Sequence, residues 1–261
     1  MITLEEMQKL AECTKKAGIL AIKLREAGLN IEIKSDGSKV TNADKELDVI
    51  FSNFIRNELN SKDLIISEED VGAGNNPEAK NNESFWSIDP IDSTTSFIKG
   101  YPYWTLNIAY IENGVPTFGL IRAPQIDTIW YGSVGVGAFK QVGDNAPVKI
   151  SVREIPTDGA VLMSSEEQLV PRHVREELRI IQEIKMPSSI KFTYIAEGIA
   201  DYYTRKMNKA CEWDISSGHG LILAAGGSVE FTDAEEKFQY GKPPYKAPAL
   251  LARGKTPRGK I

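Results

Sequence analysis

The chain opens on a helical pattern. Thr3-Leu4-Glu5-Glu6 reads as a capping box, and Leu10, Cys13, Ala17, Leu20 and Leu24 then recur at helical spacing until Gly28 stops the run. Ile31–Ile33 reads as a short extended piece and Lys34-Ser35-Asp36-Gly37-Ser38 as a polar turn. Thr41-Asn42-Ala43-Asp44 opens a second helix with Leu47, Ile50, Phe51, Phe54 and Ile55 as its buried stripe. The pattern then changes to short apolar runs. Leu64–Ser67 and Phe85–Ile88 read as buried strands, with a polar loop from Gly72 to Asn82 between them. Trp104–Ile111 and Val115–Arg122 form a hairpin around Glu112-Asn113-Gly114, and Thr128–Gly132 and Ala138–Gln141 continue the meander.

After a boundary at Gly143–Val152, strand and helix alternate. Ala160–Ser164 is a strand, Pro171–Ile181 a helix and Ile184–Met186 a strand; Ser189–Ala200 continues the alternation, and Ile215–Ala225 is a small-residue helix ending at Gly226-Gly227. The expectation is an α+β or α/β protein of two closely packed parts, residues 1–145 and 146–261.

Both early strands end in acids. Phe85-Trp86-Ser87-Ile88 runs into Asp89-Pro90-Ile91-Asp92-Ser93-Thr94, and Leu64–Ser67 runs into Glu68-Glu69-Asp70. If the strands are neighbours, these carboxylates converge on one edge of a sheet. Like charges held so close call for a cation, and hard oxygen ligands suit Mg²⁺ better than zinc or iron. Backbone N–H groups of Ser93 and Thr94 at a helix start would offer an anion site beside it. The same residues are also ordinary turn and cap material. Asp44 fits the third position after a capping Thr, Asp214 fits an N-cap ahead of the last helix, and Lys191 and Arg205 fit a solvated surface.

Composition narrows the classes. A net charge of -5 offers no electrostatic footprint for a nucleic acid polymer or a membrane surface, and the one basic cluster, Arg253–Lys260, reads as a frayed end. Met1 leads directly into a charged amphipathic segment and no apolar run is long enough to cross a bilayer, so a cytoplasmic protein is expected. Two cysteines far apart give no disulfide framework or CxxC site, and two histidines, His173 and His219, make a zinc site or a Ser-His-Asp triad hard to assemble. His219, within a helix, reads as a packed histidine.

Taken in order, Gly37-Ser38-x-Val40-Thr41-x-Ala43-Asp44, Glu68-Glu69, Asp89-Pro90-Ile91-Asp92-Ser93-Thr94 and Trp213-Asp214, followed by Gly218 and Ala225-Gly226-Gly227, resemble the signatures of the inositol monophosphatase-like family over nearly the whole chain. Members are Mg²⁺-dependent, lithium-sensitive phosphomonoesterases. The run Ser188-Ser189-Ile190-Lys191-Phe192 with Ala196-Glu197-Gly198-x-Ala200-Asp201, together with Glu212-Trp213-Asp214-x-x-x-Gly218-His219, resembles the 3′(2′),5′-bisphosphate nucleotidase branch, as does Asn107-Ile108-Ala109. Ser93 departs from the family, standing where most members have glycine; serine also occurs there in the inositol polyphosphate 1-phosphatase branch.

The resemblance implies a layered αβαβα sandwich like the sugar phosphatase fold. It implies that Glu68, Asp89 and the Ile91 carbonyl hold one Mg²⁺ and that Asp89, Asp92 and Asp214 hold a second, with a third placed by Glu68 and Glu69. It implies that Thr94, hydrogen-bonded to Asp44, orients and deprotonates the attacking water. Ser93 and Thr94 N–H groups would bind the scissile phosphate, and Ser189, Lys191, Arg205 and Asp214 the rest of the substrate. The partner expected is a small phosphate ester, adenosine 3′,5′-bisphosphate or an inositol or sugar phosphate, with monomer and homodimer both open. Among rivals, a haloacid-dehalogenase phosphatase needs its acids two apart, a glycosidase leaves the Ser-Thr cradle unexplained, and a non-catalytic binding protein would not need all five acids.

Overall fold

The structure is a computed structural model that describes residues 1–34, 37–80, 82–166, 168–206, 210–232 and 238–256. Ser35 and Asp36 of the expected polar turn, and the expected frayed tail from Pro257 onward, lie outside the described residues.

Helix α1 (Leu4–Ala27) begins at the Thr3 capping box, and α2 (Asn42–Asn57) at a second one in which Thr41 accepts from Ala43 and Asp44 while the Asp44 carboxylate accepts the Thr41 N–H. Between them β1 (Ile31–Ile33) and β2 (Lys39–Thr41) form a two-stranded ribbon. Leu47, Phe51 and Ile55 of α2 are fully buried, each worth roughly 1.5–3 kcal/mol relative to exposure.

Next come β3 (Leu64–Ser67), α3 (Glu68–Gly72), β4 (Phe85–Asp92), α4 (Thr94–Ile98), β5 (Thr105–Glu112), β6 (Val115–Ala123), β7 (Thr128–Ser133), β8 (Gly137–Val142) and β9 (Val148–Ile150). Strands β3 to β9 make a seven-stranded sheet in chain order, with β3–β4 parallel and each later pair antiparallel. The β5–β6 turn has Asn113 and Gly114 at positive φ, as a tight hairpin requires.

The chain then builds β10 (Ala160–Ser164), α5 (Arg172–Glu177), β11 (Ile180–Lys185), α6 (Ile190–Ala196), β12 (Tyr202–Arg205), α7 (Trp213–Ala224), β13 (Ser228–Phe231) and β14 (Leu250–Arg253). Its five-stranded sheet has the order β11-β10-β12-β14-β13. Here the expected helix 171–181 is corrected. It stops at Glu177, Arg179 turns the chain at φ 51, and β11 starts at Ile180 rather than 184. Pairing in parallel with β10 decides the conformation of Ile180 and Ile181 over the helical spacing that the sequence offers.

The layers follow from the contacts. α1 and α2 pack on one face of the seven-stranded sheet, α6 and α7 fill the space between its other face and the five-stranded sheet, and α5 packs against β11. This is the αβαβα sandwich expected. Trp86, Ile88, Leu106 and Leu120 face the α1/α2 core, whereas Phe85, Ile121, Phe192, Trp213 and Leu221 face the core between the sheets. α7 approaches β6 so closely that a Cβ on Gly119 would lie 1.9 Å from the Ser217 carbonyl oxygen. Only a glycine there lets this helix, which carries Asp214, lie down on the sheet.

Candidate active site

Strand register brings the first acids together. β3 and β4 run in parallel with Ser67 opposite Ile88, so the next residues, Glu68 and Asp89, emerge side by side at the same sheet end. Asp89 and Asp92 are three apart, and in a regular strand an odd separation puts side chains on opposite faces. A bulge resolves this: Asp89 pairs with Asn107 and Asp92 with Thr105, so three steps on β4 match two on β5. Ile91 consequently joins Trp86 and Ile88 in the α1/α2 core, while both carboxylates line one cleft on the other face. Asp214 enters from the first turn of α7, its Oδ2 held by the Cys211 N–H at 2.8 Å.

Ligand atoms of Glu68, Asp89 and Asp214 lie within 4.8 Å of one another. Both Asp89 oxygens are buried with no hydrogen-bond partner, which is costly for an anion unless a cation meets it. Burial, then the charges of Glu68, Asp92 and Asp214, push the Asp89 carboxyl well above the carboxylate range. Burial likewise raises Glu68 to about 7 against the pull of Lys34, and Asp214 to about 7 against the pull of Arg205. Lys34 Nζ sits 2.8 Å from Glu68 Oε1 and 3.0 Å from Glu69 Oε1. Orphaned carboxylate oxygens in a purely oxygen donor set fit a hard divalent cation.

The cleft, ≈ 610 Å³, is lined by these acids and by Lys34, Ser93, Thr94, Cys211 and Lys246, among others. Ser93 adopts a left-handed conformation at φ 67 immediately before α4, turning the chain at the end of β4. Thr94 Oγ1 lies 3.2 Å from the Ile91 carbonyl and 3.5 Å from Asp44 Oδ1. Asp44, 2 % exposed, divides its carboxylate: Oδ2 completes the α2 capping box and Oδ1 faces Thr94. Burial raises its pKa while the Thr41 hydrogen bonds oppose the rise.

The remaining residues expected around a substrate are placed differently. Lys191 is 2 % exposed and donates to the Met186 carbonyl at 3.1 Å and to that of Ser188, with its charge over the Tyr203 ring. Ser189 is buried against Asp92, and Arg205 Nη2 stands 3.8 Å from Asp214 Oδ2. His219 is packed among Phe231 and Tyr240, its Nδ1 3.0 Å from the Tyr240 hydroxyl, and burial lowers its pKa to about 4. Lys34, Cys211 and Lys246 were not found as site residues by sequence reasoning. A lysine in a polar turn carries no local sign that it meets two glutamates more than thirty positions away.

The chain is similar to known proteins in sequence and in fold. The family model described as the inositol monophosphatase family matches residues 3–257. The 3′(2′),5′-bisphosphate nucleotidase CysQ of Buchnera aphidicola is 32% identical over 229 residues, covering 86% of this chain and 83% of the relative. Inositol monophosphatase 1 of Sus scrofa is 26% identical over 236 residues, covering 86% and 82%. Among solved structures, CysQ from Bacteroides thetaiotaomicron superposes with a TM-score of 0.72 at 24% identity, covering 97% of this chain and 98% of that one, a likeness of fold. Among the described residues no helix is long and apolar enough to cross a membrane.

Proposed function

The chain belongs to the inositol monophosphatase family and is a phosphatase, and on that premise we propose that it removes the 3′-phosphate of adenosine 3′,5′-bisphosphate, giving AMP and phosphate, with two or three Mg²⁺ bound. The substrate is supported by the bisphosphate nucleotidases among its relatives. The observation that carries the chemistry is Asp89, buried with both oxygens unpartnered between Glu68 and Asp214, in a cleft that Ser93 and Thr94 also line.

Glu68, Asp89, Asp92, Asp214 and the Ile91 carbonyl would hold the cations, residues 1–145 supplying all but Asp214, which comes from residues 146–261. Bound there, a divalent ion neutralises the phosphoryl oxygens and makes a water more acidic. Thr94, with its hydroxyl proton turned toward Asp44 Oδ1, presents a lone pair that aligns the attacking water and accepts its proton, which Asp44 takes up in turn. The water oxygen bonds to phosphorus as the P–O3′ bond breaks, and the departing 3′-oxygen takes a proton from solvent water to leave as the hydroxyl of AMP. Backbone N–H groups of Ser93 and Thr94 face the charge that grows on the phosphoryl oxygens.

The test is phosphate release, at saturating Mg²⁺, from adenosine 3′,5′-bisphosphate, inositol 1-phosphate and fructose 1,6-bisphosphate in parallel, with Asp89→Asn as control. A preference for the nucleotide that is lost by at least about a hundredfold in the variant supports the reading. A preference for inositol phosphate overturns the substrate and keeps the site. No release from any of the three overturns both.

A further inference from the structure

The run Ser188-Ser189-Ile190-Lys191 resembles a substrate-binding segment, yet its side chains point into protein. Ser189 is 1 % exposed. Its backbone N–H lies 2.6 Å from Asp92 Oδ2 and its hydroxyl 2.8 Å from the same oxygen. Asn107 Nδ2 donates to the Ser189 hydroxyl at 3.0 Å and lies 3.4 Å from Asp92 Oδ2, where Thr105 Oγ1 also lies at 3.4 Å. Four donors from two layers of the sandwich thus converge on one carboxylate oxygen. Because Asp92 also lines the cleft, fixing Oδ2 fixes the direction of the other oxygen.

The Ser189 side chain serves this oxygen and not its own helix, whose first N–H goes to the Ser188 hydroxyl at 3.4 Å. Ser189 holds the position before α6, where a serine ordinarily accepts a hydrogen bond from the first turn, but its side chain makes no cap bond. Ser188 before it is left-handed at φ 52, a conformation that strains a non-glycine residue. The buried Lys191 ammonium staples that turn through the carbonyls of Met186 and Ser188. Finally, the backbone carbonyl of Asp214 lies 3.0 Å from the Ser189 hydroxyl, whose single proton is shared between this carbonyl and Asp92 Oδ2, while the Ser189 N–H holds Asp92 in either case. One side chain therefore touches both Asp92 at the end of β4 and the turn of α7 that bears Asp214.

We propose that Ser189 is a positioning residue, which with Asn107 locks the Asp92 carboxylate and ties it to Asp214, and that it is not a contact to the substrate. This rests on the cation-holding role proposed above for Asp92 and Asp214. Partners of a ligating carboxylate orient it, and their loss typically weakens metal binding by about 10- to 100-fold.

The experiment titrates Mn²⁺ alone onto the full chain, without substrate, and counts free ion by electron paramagnetic resonance. Ser189→Ala is expected to weaken one class of Mn²⁺ site by about tenfold or more, to leave KM at saturating Mg²⁺ within about twofold, and to be reversed in Ser189→Thr, which keeps the hydroxyl. An unchanged Mn²⁺ isotherm overturns the inference, whether KM rises, which would make Ser189 a substrate contact, or stays put. Should Ser189→Ala lose its cooperative melt, Asn107→Ala is read by the same two criteria. Wild-type chain that takes up no Mn²⁺ defeats the cation-holding reading itself, and so is distinguishable from failure of the inference alone.

Discussion

Glu68→Gln tests the electrostatic account of the site without any assay of turnover. The carboxyl sits beside Asp89 and Asp214, and its pKa is raised from 4.5 to about 7 by burial, in spite of Lys34. A group with that shift binds its proton more tightly in the folded chain than in the unfolded one. Between pH 4.5 and 7 the native state therefore holds more protons, and stability falls as pH rises through that window. At about 1.4 kcal/mol per pH unit the loss is about 3 kcal/mol for this group taken alone. Glutamine, which cannot ionise, escapes it. His219, with its pKa lowered to about 4 by burial, works in the opposite direction over an overlapping range. For that reason the quantity to follow is the difference between variant and wild type, in which His219 cancels. Thermal melts in EDTA from pH 4.5 to 8 should show Glu68→Gln gaining on wild type by roughly 6–12 °C across the series, at 2–4 °C per kcal/mol for a chain of this size. If these carboxylates hold Mg²⁺ as proposed, saturating Mg²⁺ should reverse the order, since an ion bound to the ionised native form stabilises it by mass action. A difference in melting temperature that does not change with pH, or that moves against the variant as pH rises, refutes the reasoning.

Three further outcomes follow from particular contacts. Ser93→Gly should raise stability by about 1 kcal/mol in a thermal melt, because φ 67 strains a serine and not a glycine; a loss of stability would mean that the Ser93 side chain holds the turn. Gly119→Ala should cost about 3 kcal/mol or more and lower phosphate release with it, since the new Cβ would collide with the Ser217 carbonyl and lift α7 off β6; a melting temperature within error of wild type would count against that close approach. Asp201→Ala should cost about 2–3 kcal/mol in chemical denaturation, because this fully buried carboxylate takes two bonds from the partly exposed Arg153 and one from the Val161 N–H, which is left without a partner; a cost under about 1 kcal/mol would show the network to be dispensable.

The chain's own pattern determined a good deal. Capping boxes at Thr3 and Thr41, the apolar stripe of α2 and the Asn113-Gly114 hairpin are local features whose physics is complete within a few residues, and each stands where it was expected. The family signatures are likewise short and ordered along the chain, so the acids could be named before any fold was known. What lay beyond the sequence was whatever depends on pairing between distant segments. The end of α5 was misplaced because β11 owes its conformation to β10, which no local propensity reports. The shared face of Asp89 and Asp92 needs a bulge that exists only against β5. Asp44 read locally as a cap and by family resemblance as a partner for Thr94, and only the tertiary structure gives it one oxygen for each. Lys191 and Ser189, surface-like or ligand-like by type, are buried because the turn that holds them closes over Asp92. Sequence fixes which groups are present and their local shape; burial and neighbours fix what each is free to do, and those are properties of the packed chain.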